Sequence, residues 1–249
     1  MPDEPAPLPP APDLAPETGY SLFLDFDGTL VALADHPDEI QPPPQLQSLL
    51  PALQNRLGQA LAVVSGRPLH QLERHLPPGL ALAGIHGGEW RWPGQAPQRV
   101  PTASLDPARR MLADWQPPPG VWIEDKDLAL AVHYRARPEA AALCEQHAAA
   151  AAALADARLL AGKQVFEIKP RGIDKGAALQ RFMAAAPFAG RLPVFVGDDV
   201  TDEDGFAAAQ ALGGIGIKVG VGDSRARHRF HDIQEVFLWL NSLLLQPPT

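Results

Sequence analysis

Apolar residues along this chain follow one pattern at both ends and a different pattern in the middle. The run Leu22-Phe23-Leu24 is continuous, as in a strand buried on both faces, and predicts a first strand at about 21–26. It ends in Asp25-Phe26-Asp27-Gly28-Thr29, and residues 32–44 read as a loop. Leu46, Leu49, Leu50, Leu53 and Leu57 then recur at helical spacing, with Pro51 predicting a kink or a late start. A second strand, Ala60 to Val64, runs into Ser65-Gly66-Arg67. A short helix through Leu69, Leu72 and Leu76 stops at Pro77-Pro78, and a third strand at about 80–85 leads into His86-Gly87-Gly88-Glu89.

The period changes after about residue 100. Val121–Asp125 and Leu128–Arg135 alternate apolar with polar, as antiparallel strands do. Residues 90–119, with their Trp and Pro, read as loop-like. A helix at about 137–157 carries the alanine tract Ala148–Ala153, and a strand pair follows at 159–162 and 164–169 around a turn at Gly162-Lys163. The first pattern then resumes: a helix at about 174–186, a strand Leu192–Val196 ending in Gly197-Asp198-Asp199, a helix at about 202–211, a strand at 214–219 and a helix at 233–245.

Strand–helix alternation on both sides of an antiparallel insert predicts an α/β fold. An open, mostly parallel sheet forms the core, at 17–103 and 170–249. A smaller α+β domain is inserted at 104–169. Residues 1–16 hold seven prolines and few bulky apolar side chains, the composition of a disordered tail. A hydrophobic fraction of 46% over 249 residues supplies a core. The net charge of −8 and pI near 5.4 argue against nucleic-acid and anionic-membrane partners. One cysteine, Cys144, allows no intrachain disulfide. Neither a membrane-spanning apolar stretch nor the basic start and apolar centre of a signal peptide is present, so a cytoplasmic protein is expected, and a monomer.

Three strand ends of the core stop in polar residues: Asp25-x-Asp27, Ser65-Gly66-Arg67 and Gly197-Asp198-Asp199. In doubly wound sheets the binding crevice lies outside the carboxyl ends of the strands, so the three would converge there. Taken alone, the Asp25/Asp27 pair reads equally as a strand ending in a solvated turn. Asp25, Asp27, Asp198, Asp199 and Asp202 in one crevice would repel without a cation. A hard, oxygen-loving ion is expected, with Mg²⁺ the first choice. Mg²⁺ takes only one or two carboxylates directly, so part of the five must lie outside its coordination sphere. Asp202 alternatively stabilises the start of the helix that begins near it. Lys175, in Asp174-Lys175-Gly176 at a helix start, supplies positive charge for a phosphate, and Ser65 a hydroxyl donor.

These parts allow phosphoryl transfer. Asp25 would attack phosphorus and form an aspartyl-phosphate. Asp27 would protonate the leaving alkoxide and then deprotonate the incoming water. Lys175 and the metal would stabilise charge on the equatorial oxygens.

Asp25-Phe26-Asp27-Gly28-Thr29, Ser65-Gly66-Arg67, Lys175-Gly176 and Gly197-Asp198-Asp199-Val200-Thr201-Asp202-Glu203 resemble the ordered motifs of the haloacid dehalogenase superfamily of phosphatases. The segments Gly84-Ile85-His86-Gly87-Gly88-Glu89, Glu124-Asp125-Lys126, Ala131-Val132-His133-Tyr134-Arg135 and Glu167-Ile168-Lys169-Pro170 are similar to those of trehalose-6-phosphate phosphatases within it. The resemblance covers the chain from about residue 19 onward. It implies a haloacid-dehalogenase-like core with an inserted cap, and hydrolysis of trehalose 6-phosphate to trehalose and phosphate in trehalose biosynthesis. It implies metal binding by Asp25, by the main-chain carbonyl of Asp27 and by Asp198, with Asp199 and Asp202 behind them. It further implies substrate contacts from Gly28, Ser65, Gly66, Arg67, His86 and Gly87, and a sugar-binding set of Glu124, Lys126 and Glu167 in the cap. Period 2 places Val165, Glu167 and Lys169 on one face of their strand, which suits a hydroxyl-rich sugar or ordinary solvation. A phosphatase for another sugar phosphate, such as sucrose 6-phosphate, and a non-catalytic sugar-phosphate sensor are the alternatives. Gly205 and Ser224 depart from the family's usual residues, a larger apolar side chain and a threonine.

Overall fold

A computed structural model of the chain, describing residues 9, 12, 19–33, 40–162 and 164–245, turns the first apolar run into β1 (Tyr20–Leu24). Leu22, Phe23 and Leu24 are fully enclosed, because parallel neighbours and helices cover both faces of this strand. Most of the expected tail, part of the loop at 32–44 and the turn residue Lys163 lie outside the described residues. The chain divides into two compact units, Met1–Gln98 with Asp174–Thr249, and Arg99–Ile173.

The first unit follows β1 with α1 (Leu46–Arg56), β2 (Leu61–Val64), α2 (Leu69–His75), β3 (Ala81–Gly84) and β4 (Glu89–Arg91). The next strand, β5 (Gln98–Arg99), lies at the end of the sheet. The second unit contributes α3 (Asp106–Asp114), β6 (Trp122–Asp125), β7 (Leu130–His133), α4 (Ala141–Leu154), β8 (Ala157–Gly162) and β9 (Val165–Pro170). The first unit then resumes with α5 (Lys175–Met183), β10 (Leu192–Gly197), α6 (Glu203–Ala211), β11 (Ile215–Val219), β12 (His228–Phe230) and α7 (Ile233–Leu245).

Eight strands form the larger sheet in the order β12-β11-β10-β1-β2-β3-β4-β5. Every pairing from β12 through β3 is parallel, and β4 turns back antiparallel on β3. The chain leaves β1 for β2 on one side and returns to β10 on the other, which makes the end of β1 a topological switch point. Two apolar layers cover the sheet. One joins Leu22 and Leu24 to the leucines of α1 and to α7; the other joins Phe23 and Phe195 to Phe182, Phe188 and Phe206. In the second unit, β6-β7-β9-β8 form a four-stranded antiparallel sheet, and α3 and α4 pack Leu112, Cys144, Ala148 and Ala152 on Val132, Phe166 and Ile168.

Two expectations are corrected. Helix α1 starts at Leu46 with Pro51 inside it, so the late start does not occur. Burying Leu46, Leu49, Leu50 and Leu53, at about 1.5–3 kcal/mol each, outweighs the lost turn bond near the proline. Residues 90–119 are not simply loop: they hold β4, β5 and α3. Helix α3 accommodates Pro107 in its first turn, where no intrahelical N–H partner is needed. Gly205 also finds its reason, since a Cβ there would stand 2.7 Å from the Phe195 ring.

Candidate active site

The three polar strand ends converge as parallel-sheet topology requires. β1 stops at Leu24, so Asp25 and Asp27 stand on the turn beyond it, where Leu30 and Val31 both donate to the Phe26 carbonyl. Both acids therefore lie outside strand geometry, and they find different partners. Asp25 is 3% exposed and accepts from Lys175 Nζ through Oδ1 at 2.7 Å. Asp27 pairs with Arg67. Asp25, Asp27, Ser65, Gly66, His86, Lys175, Asp198 and Asp199 line one cavity of about 230 Å³, together with Leu33 and Thr201.

Lys175 opens α5, where Asp174 caps the helix by accepting from the Ala177 N–H at 2.7 Å. Its ammonium is buried between Asp25 and Asp202, the latter at 2.6 Å. Asp202 uses both oxygens: Oδ1 on Lys175, Oδ2 on the N–H groups of Asp198 at 3.0 Å and Asp199 at 2.9 Å. It is wholly buried and fixes the loop that carries Asp198. Gly28 lets Asp198 approach, for a Cβ at its positive φ of 77° would lie 2.1 Å from the Asp198 carboxylate. Gly87 lies elsewhere, packed on Ala178 and the Asp174 carbonyl rather than lining the cavity.

Electrostatics follow from burial. Desolvation pushes the Asp25 carboxyl well above its usual range; Lys175 opposes this and Asp202 adds to it. Asp198 and Asp202 are also raised, burial again being the main cause. For Lys175 burial disfavours the charge, but the two carboxylates outweigh it and hold the ammonium above its ordinary range. Asp25, Asp198 and Asp202 bring oxygens within 4.8 Å of one another. Asp198 Oδ1 is buried with no hydrogen-bond partner among the described residues. The three carboxylates carry more negative charge than Lys175 and the nearby Lys218 neutralise, so a divalent cation fits the donor set and its charge.

Sequence reasoning missed Lys218, which donates to the Asp198 main-chain carbonyl from β11. A lysine inside Ile215-Gly216-Ile217-Lys218-Val219 was the available signal, because a lysine is rarely buried without a partner.

Glu124, Lys126 and Glu167 come together in the second unit. Lys126 Nζ lies 2.9 Å from Glu167 and 3.6 Å from Glu124. Two further residues join them: Lys169, 2.9 Å from Glu167, and His133, whose Nε2 is 2.9 Å from Glu124 and whose ring stacks on Trp122 at 3.9 Å. Burial alone would raise Glu167, but Lys126 and Lys169 outweigh it and bring its carboxyl down to about 2.

A mostly parallel sheet with acids beyond β1 and β10 and a lysine at the start of α5 defines a haloacid-dehalogenase-like phosphatase. The sequence pattern of the trehalose-phosphatase family matches residues 23–233. The trehalose-6-phosphate phosphatase of Escherichia coli K12 is 36% identical over 252 residues, covering 95% of this chain and 90% of that protein. A probable trehalose-phosphate phosphatase of Sinorhizobium fredii is 41% identical over 209 residues, covering 81% and 78%. In structure, an Aspergillus fumigatus trehalose-6-phosphate phosphatase superposes with a TM-score of 0.80 at 23% identity, covering 95% of this chain and 99% of that one, a likeness of fold. The chain belongs to the trehalose-phosphatase family. No helix among the described residues is long and apolar enough to cross a membrane.

Proposed function

We propose that this protein is a Mg²⁺-dependent phosphatase that hydrolyses trehalose 6-phosphate to trehalose and phosphate, through an aspartyl-phosphate on Asp25. The observation that carries this reading is the buried Asp25 carboxylate, anchored on Lys175 by one oxygen and lining the cavity. Relatives named for this substrate support it.

Asp25, Asp198 and the Asp27 main-chain carbonyl would hold the metal, Asp202 being engaged through both oxygens. When bound, Mg²⁺ neutralises phosphate oxygens so that an anionic carboxylate can approach phosphorus. Lys175 holds Asp25 in one orientation, a pre-organised nucleophile. Ser65 Oγ accepts from the Arg67 N–H at 3.1 Å and keeps its own proton to donate to a phosphate oxygen. Asp27 moves the proton, first to the leaving sugar oxygen and then from the incoming water. Gly66 and His86 line the same cavity, Gly66 leaving room for the His86 ring, and Gly28 leaves room for the Asp198 carboxylate. Glu124, Lys126 and Glu167 offer a sugar the charged donors and acceptors that reject analogues lacking its hydroxyls.

Phosphate release from trehalose 6-phosphate, sucrose 6-phosphate and glucose 6-phosphate tests the reading. Trehalose 6-phosphate is expected to react fastest, activity to vanish with EDTA, and Mg²⁺ to restore it. Preference for another sugar overturns the substrate, persistence in EDTA overturns the metal, and binding without release makes the protein a sensor. Acid-quenched enzyme should carry phosphate that Asp25→Asn does not.

A further inference from the structure

Asp27 lines the cavity, but its carboxylate is not free. Arg67 Nε donates to its Oδ2 and Arg67 Nη2 to its Oδ1, each at 2.7 Å. Two parallel bonds of this kind fix a carboxylate in one plane. The Arg67 side chain is only 10% exposed, so water competes weakly. Its guanidinium stands 5.8 Å from the centre of the fully buried Phe26 ring. Its main chain is tied as well: the N–H donates to Ser65 Oγ, and the carbonyl accepts from the Ile85 N–H at 3.0 Å. An arginine tied at backbone, ring and fork is held in one direction.

The geometry points to Arg67 as the positioning residue for Asp27, holding the carboxylate that moves the proton rather than gripping the substrate phosphate. This rests on the proposed function. As a carboxylate, Asp27 fills both donors of the fork. Once protonated, the oxygen that bears hydrogen accepts more weakly, and the second bond keeps the carboxyl in place. In the first half-reaction the Asp25–phosphorus bond forms while the bond from phosphorus to the sugar oxygen breaks. That oxygen leaves with the electron pair and takes the Asp27 proton. Asp27 returns to the two-point grip. In the second half it takes a proton from water as the water oxygen bonds phosphorus and the Asp25–phosphorus bond breaks. Arg67 thus anchors both protonation states by unequal grips.

The test compares full-length wild type, Arg67→Ala and Arg67→Lys on two substrates. From trehalose 6-phosphate the leaving group is an alkoxide that needs the proton; from p-nitrophenyl phosphate it is a stable phenolate that does not. In Arg67→Ala, single-turnover cleavage of trehalose 6-phosphate should fall about 100-fold, with KM changed less than about threefold. The p-nitrophenolate burst should slow by less than about threefold, because that step leaves without the proton. Arg67→Lys, a point charge without the fork, should fall between wild type and Arg67→Ala. It keeps the comparison available if Arg67→Ala does not fold. Adding Arg67→Ala to Asp27→Asn should cost nothing further on trehalose 6-phosphate. A raised KM with kcat intact would return Arg67 to the phosphate, and equal losses on both substrates or additive losses with Asp27→Asn would make it a general structural residue. Wild type inactive on trehalose 6-phosphate would overturn the proposed function instead.

Discussion

Each unit of this protein holds a cluster of acids and lysines joined by close ion pairs. In the first unit Lys175 meets Asp25 at 2.7 Å and Asp202 at 2.6 Å. In the second unit Lys126 and Lys169 each meet Glu167 at 2.9 Å. Exposure separates them. The side chains of the first cluster are 0–4% exposed, those of the second 16–40%. Burial dominates the first, so Asp25 and Asp202 are pushed up even with an ammonium between them. In the second, two ammonium groups serve one carboxylate near water, and Glu167 moves down. The buried cluster is short of positive charge and built to receive more. The exposed cluster is already balanced, and nearby water screens its charges.

Replacing the proposed nucleophile makes the largest difference. Asp25→Asn should lower phosphate release at least about 1,000-fold, as losing one member of a cooperating catalytic set does. It removes one of the under-neutralised carboxylates, so its thermal midpoint should hold or rise. A variant keeping a tenth of the activity would end the nucleophile assignment.

The sharpest break of the comparison is to remove a lysine from each cluster. Lys175→Met leaves Asp25 and Asp202 buried without their cation, at a cost of about 3–5 kcal/mol. Lys126→Met removes a partly exposed partner from a Glu167 that keeps Lys169, and should cost about 1 kcal/mol or less. Urea unfolding of both variants measures the gap, and equal losses would show that burial does not separate the clusters. Gly28→Ala comes next. Its Cβ would displace the Asp198 carboxylate, and a displacement of that kind should lower turnover about 100-fold. Activity near wild type would mean that the Asp198 loop can yield.

Much of the first cluster could be read in advance, for a physical reason. Strands buried on both faces write continuous apolar runs, and the polar residues that end them stand out: Asp25 after β1, Ser65 after β2, Asp198 after β10. The second unit's strands were legible by alternation, as on β9, where Phe166 and Ile168 are buried and Glu167 is not. Other features left little trace. Helix α3 buries only Ala108 and Leu112, too few positions to set a period, and β12 has three residues. The Arg67–Asp27 pair joins residues 40 positions apart through two turns, and no periodicity encodes that. Asp202 was left between two roles, stabilising a helix start and standing behind the metal, and its two oxygens serve Lys175 and the backbone of the Asp198 loop together.

The smallest effect tests the exposed cluster by its sign. Glu167 has an ordinary value of 4.5 and is brought to about 2 in the folded protein. A carboxyl lowered on folding stabilises above its unfolded value, and the contribution fades as pH falls toward the folded one. Glu167→Gln should therefore cost about 1 kcal/mol near pH 7, the full shift being cut by solvent at a site whose partner Lys126 is 40% exposed. Wild type and variant should converge between 4.5 and about 2, and the gap should shrink in high salt. Urea unfolding at several pH values checks it. A gap that stays constant across that interval would mean Glu167 acts by packing rather than by charge. The two clusters would then differ in kind and not only in exposure.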